Sequence, residues 1–212
     1  MAGSSVNTSA TGGYLAPSSP PPADDLALDV ILQALIVGVT GLPGDLVRPR
    51  WQDTPAAAGG ARPRVPDISE TWCGVGVVST EADDTPALIH SAAGDGSTTL
   101  RRFERLEVLA SFYGPKGDAY ARLARDSLYI AQNREALRTD GIEFVSTDPI
   151  RRIPEIIATA TRRRSDLPFR LTRRVERTYS ILNVLEAQGT VVGQIGSDQG
   201  PSALVVPFDT QE

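Results

Sequence analysis

The sequence predicts an α+β fold, a single domain with helices packed on one face of a mixed or mainly antiparallel β-sheet. Three observations lead there. Leu28, Leu32, Leu35 and Val39 recur at spacings of three and four, which places them on one face of a helix. Leu106, Val108, Ala110 and Phe112 recur at every second position, the period of a half-buried strand. Further stretches of both kinds bring the total to roughly four or five strands and two or three helices, a mixture that packs as helices on a sheet.

The chain has 212 residues, enough for one domain with a sizeable core. Residues 1–23 are expected to be a flexible N-terminal tail. Ser, Thr, Ala, Gly and Pro dominate them, and such a segment buries too little apolar surface to offset the entropy of ordering it. Its alternative role is a tether onto a partner. Residues 24–197 form the expected domain, with a loop or arm at 81–97, and residues 198–212 are a C-terminal extension.

Asp24 and Asp25 open the first helix as a candidate N-cap and as negative charge at its positive end. Ile31 and Ile36 widen its apolar stripe, and GLPGD at 41–45 ends it through a glycine C-cap and a proline that cannot continue. In residues 47–66, Pro49, Pro55, Pro63, Pro66 and the Gly59-Gly60 pair predict no regular interior element. Trp51 stands alone there behind Arg48 and Arg50, either as a plug over the core or as an anchor at an interface. WCGVGVVS at 72–79 reads as a strand. Its Gly74 and Gly76 share a face and admit a close neighbour, with no phosphate-loop pattern around them. Within the acidic, Gly-rich stretch that follows, TPALIHSAA reads as either a further strand or a mobile hairpin arm.

The strand at 98–113 is expected at the centre of the sheet with Leu106, Val108 and Phe112 buried. Tyr120, Leu123, Leu128 and Ile130 then mark a helix, and Asn133 is expected to cap a short second one ending near Gly141. Ile142, Phe144 and Val145 begin a strand halted at Asp148-Pro149. Residues 153–160 read equally as strand or helix. Leu167, Phe169, Leu171, Val175 and Tyr179 lie on one face of an extended strand that Arg173 interrupts. A last strand at 189–195 is expected to pair back with it, and ALVVPF near the end has no evident place.

Formal net charge is -5, yet basic residues outnumber acidic ones between Arg101 and Arg177. Lys116 is the sole lysine, so the positive charge is almost all arginine, whose planar fork suits bidentate pairs across interfaces. A high-GC coding sequence would give the same bias. Arg170 and Arg174, together with Trp51, are the candidate interface residues. No catalytic, cofactor-binding or metal-binding residue is expected. The single Cys73 sits among apolar neighbours and reads as a buried thiol, which also excludes an internal disulfide. His90, the one histidine, lacks a nucleophile elbow beside it, and zinc would need clustered ligands. No signal peptide or membrane span is expected, since the apolar stretch at 26–39 is short and interrupted by Asp29, Gln33 and Gly38.

The run LEVLASFYGPKGDAYARLARDSLYIAQNREALRTDGI at 106–142 resembles the central block of the bacteriophage neck or tail-terminator family. The resemblance reaches upstream to GLPGDLVRPRWQ at 41–52 and downstream from IRRIPEII at 150–157 to Val191. It implies a structural virion protein at the phage neck, assembled in the bacterial host cytoplasm. Such proteins form a ring, usually sixfold, that caps the tail tube and joins it to the head-side connector, with a channel for DNA. The implied partners are therefore further copies of this chain, the tail tube protein, a head-completion or connector protein, the sheath of a contractile tail, and the genomic DNA in the lumen. The resemblance brings no catalytic residue with it. The alternative is an arginine-rich DNA-binding or packaging accessory protein, which a steep salt dependence of duplex affinity would reveal. A small hydrolase with an unrecognised site is the third reading.

Overall fold

A computed structural model of the chain describes residues 7–51, 66–157, 160–184, 186–195 and 202–211, with side chains at 7–51, 66–156 and 161–184. Expectations for the loop at 52–65, and for the outermost parts of both termini, lie outside the described residues. Two compact units are present. The larger comprises Pro20–Ala87 and Leu100–Arg177, the smaller Met1–Ser19, Leu88–Thr99 and Thr178–Glu212.

The larger unit opens with helix α1, Asp25–Thr40. Its buried stripe of Leu28, Leu32, Leu35, Ile36 and Val39 is the one the spacing predicts. Gly41 ends the helix in the left-handed conformation at φ 71°, where its N–H donates to the Val37 carbonyl. A single 3-10 turn, Gly44–Leu46, leads into β1, Val47–Pro49. This short strand is a regular element at the edge, within a stretch whose prolines predict no regular interior one. It pairs parallel to β2, Trp72–Ala82, as an edge strand, a sheet position that tolerates a proline.

β2 runs antiparallel to β4, Ser97–Tyr113, with Cys73 opposite Phe112 and Val75 opposite Ala110. Trp72 and Tyr113, also opposite, stack at 4.2 Å between ring centroids. β4 is central as expected, and Leu106, Val108, Ala110 and Phe112 are all buried. After it the chain turns at Gly114, whose φ of 94° and contact with the Glu70 carbonyl leave no room for a side chain.

Helix α2, Gly117–Ser127, buries Gly117, Ala121 and Ala124, with Leu128 just beyond, while Leu123 and Ile130 are exposed. Of the four expected apolar residues, Leu128 is buried and Tyr120 packs against the core, while small residues at helical spacing let α2 approach its neighbours. Asn133 does not cap the next helix. Its side-chain amide donates to the carbonyl of Ser127, at the C-terminal end of α2, and α3, Glu135–Thr139, follows a 3-10 turn at Gln132–Arg134.

β5, Ile142–Thr147, and β6, Arg151–Ile157, both pair antiparallel with β7, Ala160–Tyr179. The ambiguous segment is therefore a strand as far as Ile157. The sheet is open and mixed, in the order β1-β2-β4-β7-β5, with β6 also on β7. Leu167, Phe169 and Leu171 of β7 enter the core with Phe112, Val47 and the α1 stripe, and Val175 is also buried. Each such large apolar side chain contributes about 1.5–3 kcal/mol by leaving water. The fold is α+β with helices packed alongside the sheet, as the sequence predicts.

In the smaller unit, β3, Ala87–Ser91, pairs with the start of β4 and is exposed along its whole length. Residues 9–19 hydrogen-bond along 178–182, with Ser18 donating its N–H to the Thr178 carbonyl at 2.7 Å. β8, Glu186–Ile195, pairs with β9, Ser202–Gln211, in a separate two-stranded sheet. This corrects the expectation that residues 189–195 return to β7, and it gives ALVVPF its partner.

Cys73 is fully buried, and burial pushes its thiol well above its ordinary pKa, aided by Asp166 and opposed by Arg50. The thiolate is the reactive form, so Cys73 should be inert in the native state. A colorimetric thiol reagent is expected to modify nothing in the folded protein and the chain's 1 cysteine after denaturation. Rapid labelling without denaturant would place Cys73 outside the core.

Candidate assembly interface

The first turn of α1 and the β1–β2 pair frame an open groove of about 1070 Å³. Asp24 holds the N-cap position in an extended conformation, yet its side chain makes no capping bond. It turns instead to Arg173, whose Nη2 donates to Asp24 Oδ1 at 2.8 Å. Arg173 Nε donates to Glu104 Oε2 at 2.7 Å and Nη1 to the Ala23 carbonyl at 2.6 Å. Its side chain is only 11% exposed, and that of Glu104 only 16%. Burial disfavours the guanidinium charge, but the bonds to Asp24 and Glu104 outweigh it and raise the pKa. The break in the apolar face of β7 is therefore an inward arginine with all three nitrogens engaged, joining β4, β7 and the start of α1.

Trp51 lies at the groove and is 64% exposed, so it does not plug the core. Its Nε1 donates to the Val77 carbonyl at 2.8 Å, and the Arg50 guanidinium lies 5.7 Å from its ring centre. Arg50 also donates to the buried Ser111 hydroxyl at 2.9 Å. A side chain at Gly76 would meet Arg50 Cβ at 2.9 Å, so glycine there admits the Arg50–Trp51 backbone against β2. Three carboxylates, Asp25, Asp29 and Asp45, line the same groove. Partial burial, then the nearby Asp25, raises the pKa of Asp29.

The other two candidates lie elsewhere. Arg170 Nη2 donates to Asp148 Oδ2 at 2.8 Å, with Glu107 at 3.8 Å from its Nε, so its own chain engages it. Arg174 is more exposed and approaches Glu176 at 3.4 Å. The structure does not bring either into the groove with Trp51. Other arginines are likewise engaged at home. Arg164 pairs bidentately with Asp166 at 2.7 and 2.8 Å, and Arg152 does so with Asp118 at 3.0 Å. The hydrogen bond from Arg152, supported by Arg122, lowers the pKa of Asp118.

His90 places Nδ1 3.0 Å from Thr98 Oγ1 and Nε2 2.9 Å from Asn183 Oδ1, so it ties the β3–β4 hairpin to the strand exit at residue 183. Neither contact supplies the carboxylate or nucleophile of a triad. Among the described residues no group of His, Cys, Asp and Glu could hold a metal ion. No described helix is long and apolar enough to cross a membrane.

An open sheet with a partly apolar, acid-lined groove suits a protein that works through contacts. The phage neck terminator protein family matches residues 26–195, and the chain belongs to that family. No curated protein matches it. The match runs from α1 to the end of β8 and so includes the whole sheet of the larger unit. The chain is a structural component of the phage virion neck, as its resemblance implied.

Proposed function

We propose that copies of this chain close into a ring, a hexamer, that terminates the tail tube and joins it to the head-side connector while leaving a channel for DNA. The family match over residues 26–195 carries this reading. The open sheet supports it, because unpaired edges invite association and a ring covers them by closure. The tail tube protein lies on one side and a head-completion or connector protein on the other, with a sheath protein around the junction in a contractile tail. Assembly takes place in the host cytoplasm. Trp51 and Arg174, both exposed, are offered to neighbouring subunits, with Arg170 beside Arg174 on β7. The arm at 81–97 docks on a neighbour, and residues 1–23 act as a tether.

The engagement of Arg152, Arg164, Arg170 and Arg173 by carboxylates of the same chain leaves little free charge there for phosphate. It therefore favours a neutral to acidic channel over the DNA-binding alternative. A phage with a nonsense mutation in this gene is expected to yield filled heads and separate tails, some of them overlong, in electron micrographs of lysates. Joined, infectious particles in normal yield would refute the proposal.

A further inference from the structure

Two surfaces of the larger unit, at opposite edges of its sheet, complement each other. One is the groove at the β1–β2 edge. Its Asp25, Asp29 and Asp45 take part in none of the ion pairs among the described residues, and Leu26, 72% exposed, stands with Trp51 at the same groove. The other is the hairpin of β6 and β7 at the far edge. There Pro154 faces Arg163 and Ile156 faces Thr161, so Arg163 and Ile156 share one side of the pair. Ile156 is 77% exposed, and Arg163 is exposed with no ion pair among the described residues. Among those residues β6 pairs with β7 alone, so its outer edge is open.

We infer that the β6–β7 hairpin of one copy docks, through Arg163 and Ile156, into the groove of the next copy against Asp25, Asp29, Leu26 and Trp51. The inference rests on the ring reading above and names the two surfaces that would meet. Charge complementarity selects a second copy as the occupant, because this chain carries both carboxylates and an arginine that enter no ion pair among the described residues. Unlike surfaces at opposite edges make a head-to-tail contact, the type that closes a ring when the rotation per subunit allows. The apolar pair of Leu26 and Ile156, with an aromatic ring beside them, supplies the desolvated centre that such contacts need. The charges fix register around it.

The test uses phage carrying three variants of the gene. Asp25→Arg with Asp29→Arg reverses the groove, Arg163→Glu reverses the hairpin, and the third variant combines all three. Each reversal alone is expected to lower the yield of joined particles at least about tenfold, and the combination to recover most of it. Leu26→Cys with Ile156→Cys, which alters no charge, is expected to give disulfide-linked multimers of the chain under oxidation in purified virions. That pair decides the matter if melting of the purified chain shows that a reversal has damaged the fold. Normal joining by both single reversals, or an absence of self-crosslinks while the neck ring is intact, would overturn these surfaces and leave the ring standing. Crosslinks from either cysteine to a different protein only would do the same. Virions with no ring of this chain would instead remove the reading on which the inference rests.

Discussion

Phe112→Ala is expected to destabilise the protein by about 3–5 kcal/mol, read as a lower midpoint of chemical denaturation for the main transition. Phe112 is among the largest fully buried side chains, on the central strand, opposite the equally buried Cys73. Around it lie strands paired on both sides of β4, so the backbone has little freedom to collapse into the space left by the ring. The loss then includes a cavity term as well as the transfer term. Phe112→Leu, which keeps most of the volume, should cost much less. An unchanged midpoint in the alanine variant would mean that this face of β4 does not form the core.

Much of the larger unit was legible because its elements obey one period over many residues. α1 and β4 show this plainly, and their buried residues follow the stripe and the alternation. What failed was information that periodicity does not carry. β1 has only three residues, too few to display a period, and its proline reads as a loop signal unless the edge position is known. Alternation marked residues 189–195 as a strand, but it cannot name a partner. β5 and β6 already lie along β7 on the side away from β4, and β8 pairs with β9 instead. Around α2, hydropathy marked Leu123 and Ile130 as well as the inward Tyr120 and Leu128, whereas close approach added Ala121 and Ala124.

The groove was half visible. Trp51 and the aspartates at the start of α1 stood out by type, yet their juxtaposition depends on a long-range contact that no local pattern announces. Arg173 appeared only as a defect in an apolar face. Its meaning required Glu104 and Asp24, distant in sequence and brought together by the pairing of β4 with β7 and the placement of α1.

Arg173→Met is expected to cost about 3 kcal/mol of stability. The substitution preserves much of the apolar stem and removes every donor, which leaves the nearly buried Glu104 without its cation and the Ala23 carbonyl without its donor. One consequence works the other way. Asp24, half exposed and released from Arg173, becomes available to cap α1, an interaction worth about 0.5–2 kcal/mol. The net loss should therefore fall below that of a wholly enclosed ion pair. Arg173→Lys should fail to rescue fully, since an ammonium cannot reproduce the planar fork that reaches Glu104, Asp24 and Ala23 together. Adding Glu104→Leu to Arg173→Met removes the stranded carboxylate and should restore stability to within about 1 kcal/mol of the parent. Denaturation midpoints of the two single variants and the double variant close the cycle. Strict additivity of the two losses would show that Arg173 and Glu104 do not act as a pair. Because the same arginine lines the groove and holds the start of α1, the rescued double variant also separates stability from assembly. It should fold normally yet join heads to tails less well, as the Ala23–Asp24 entry to the groove is no longer held.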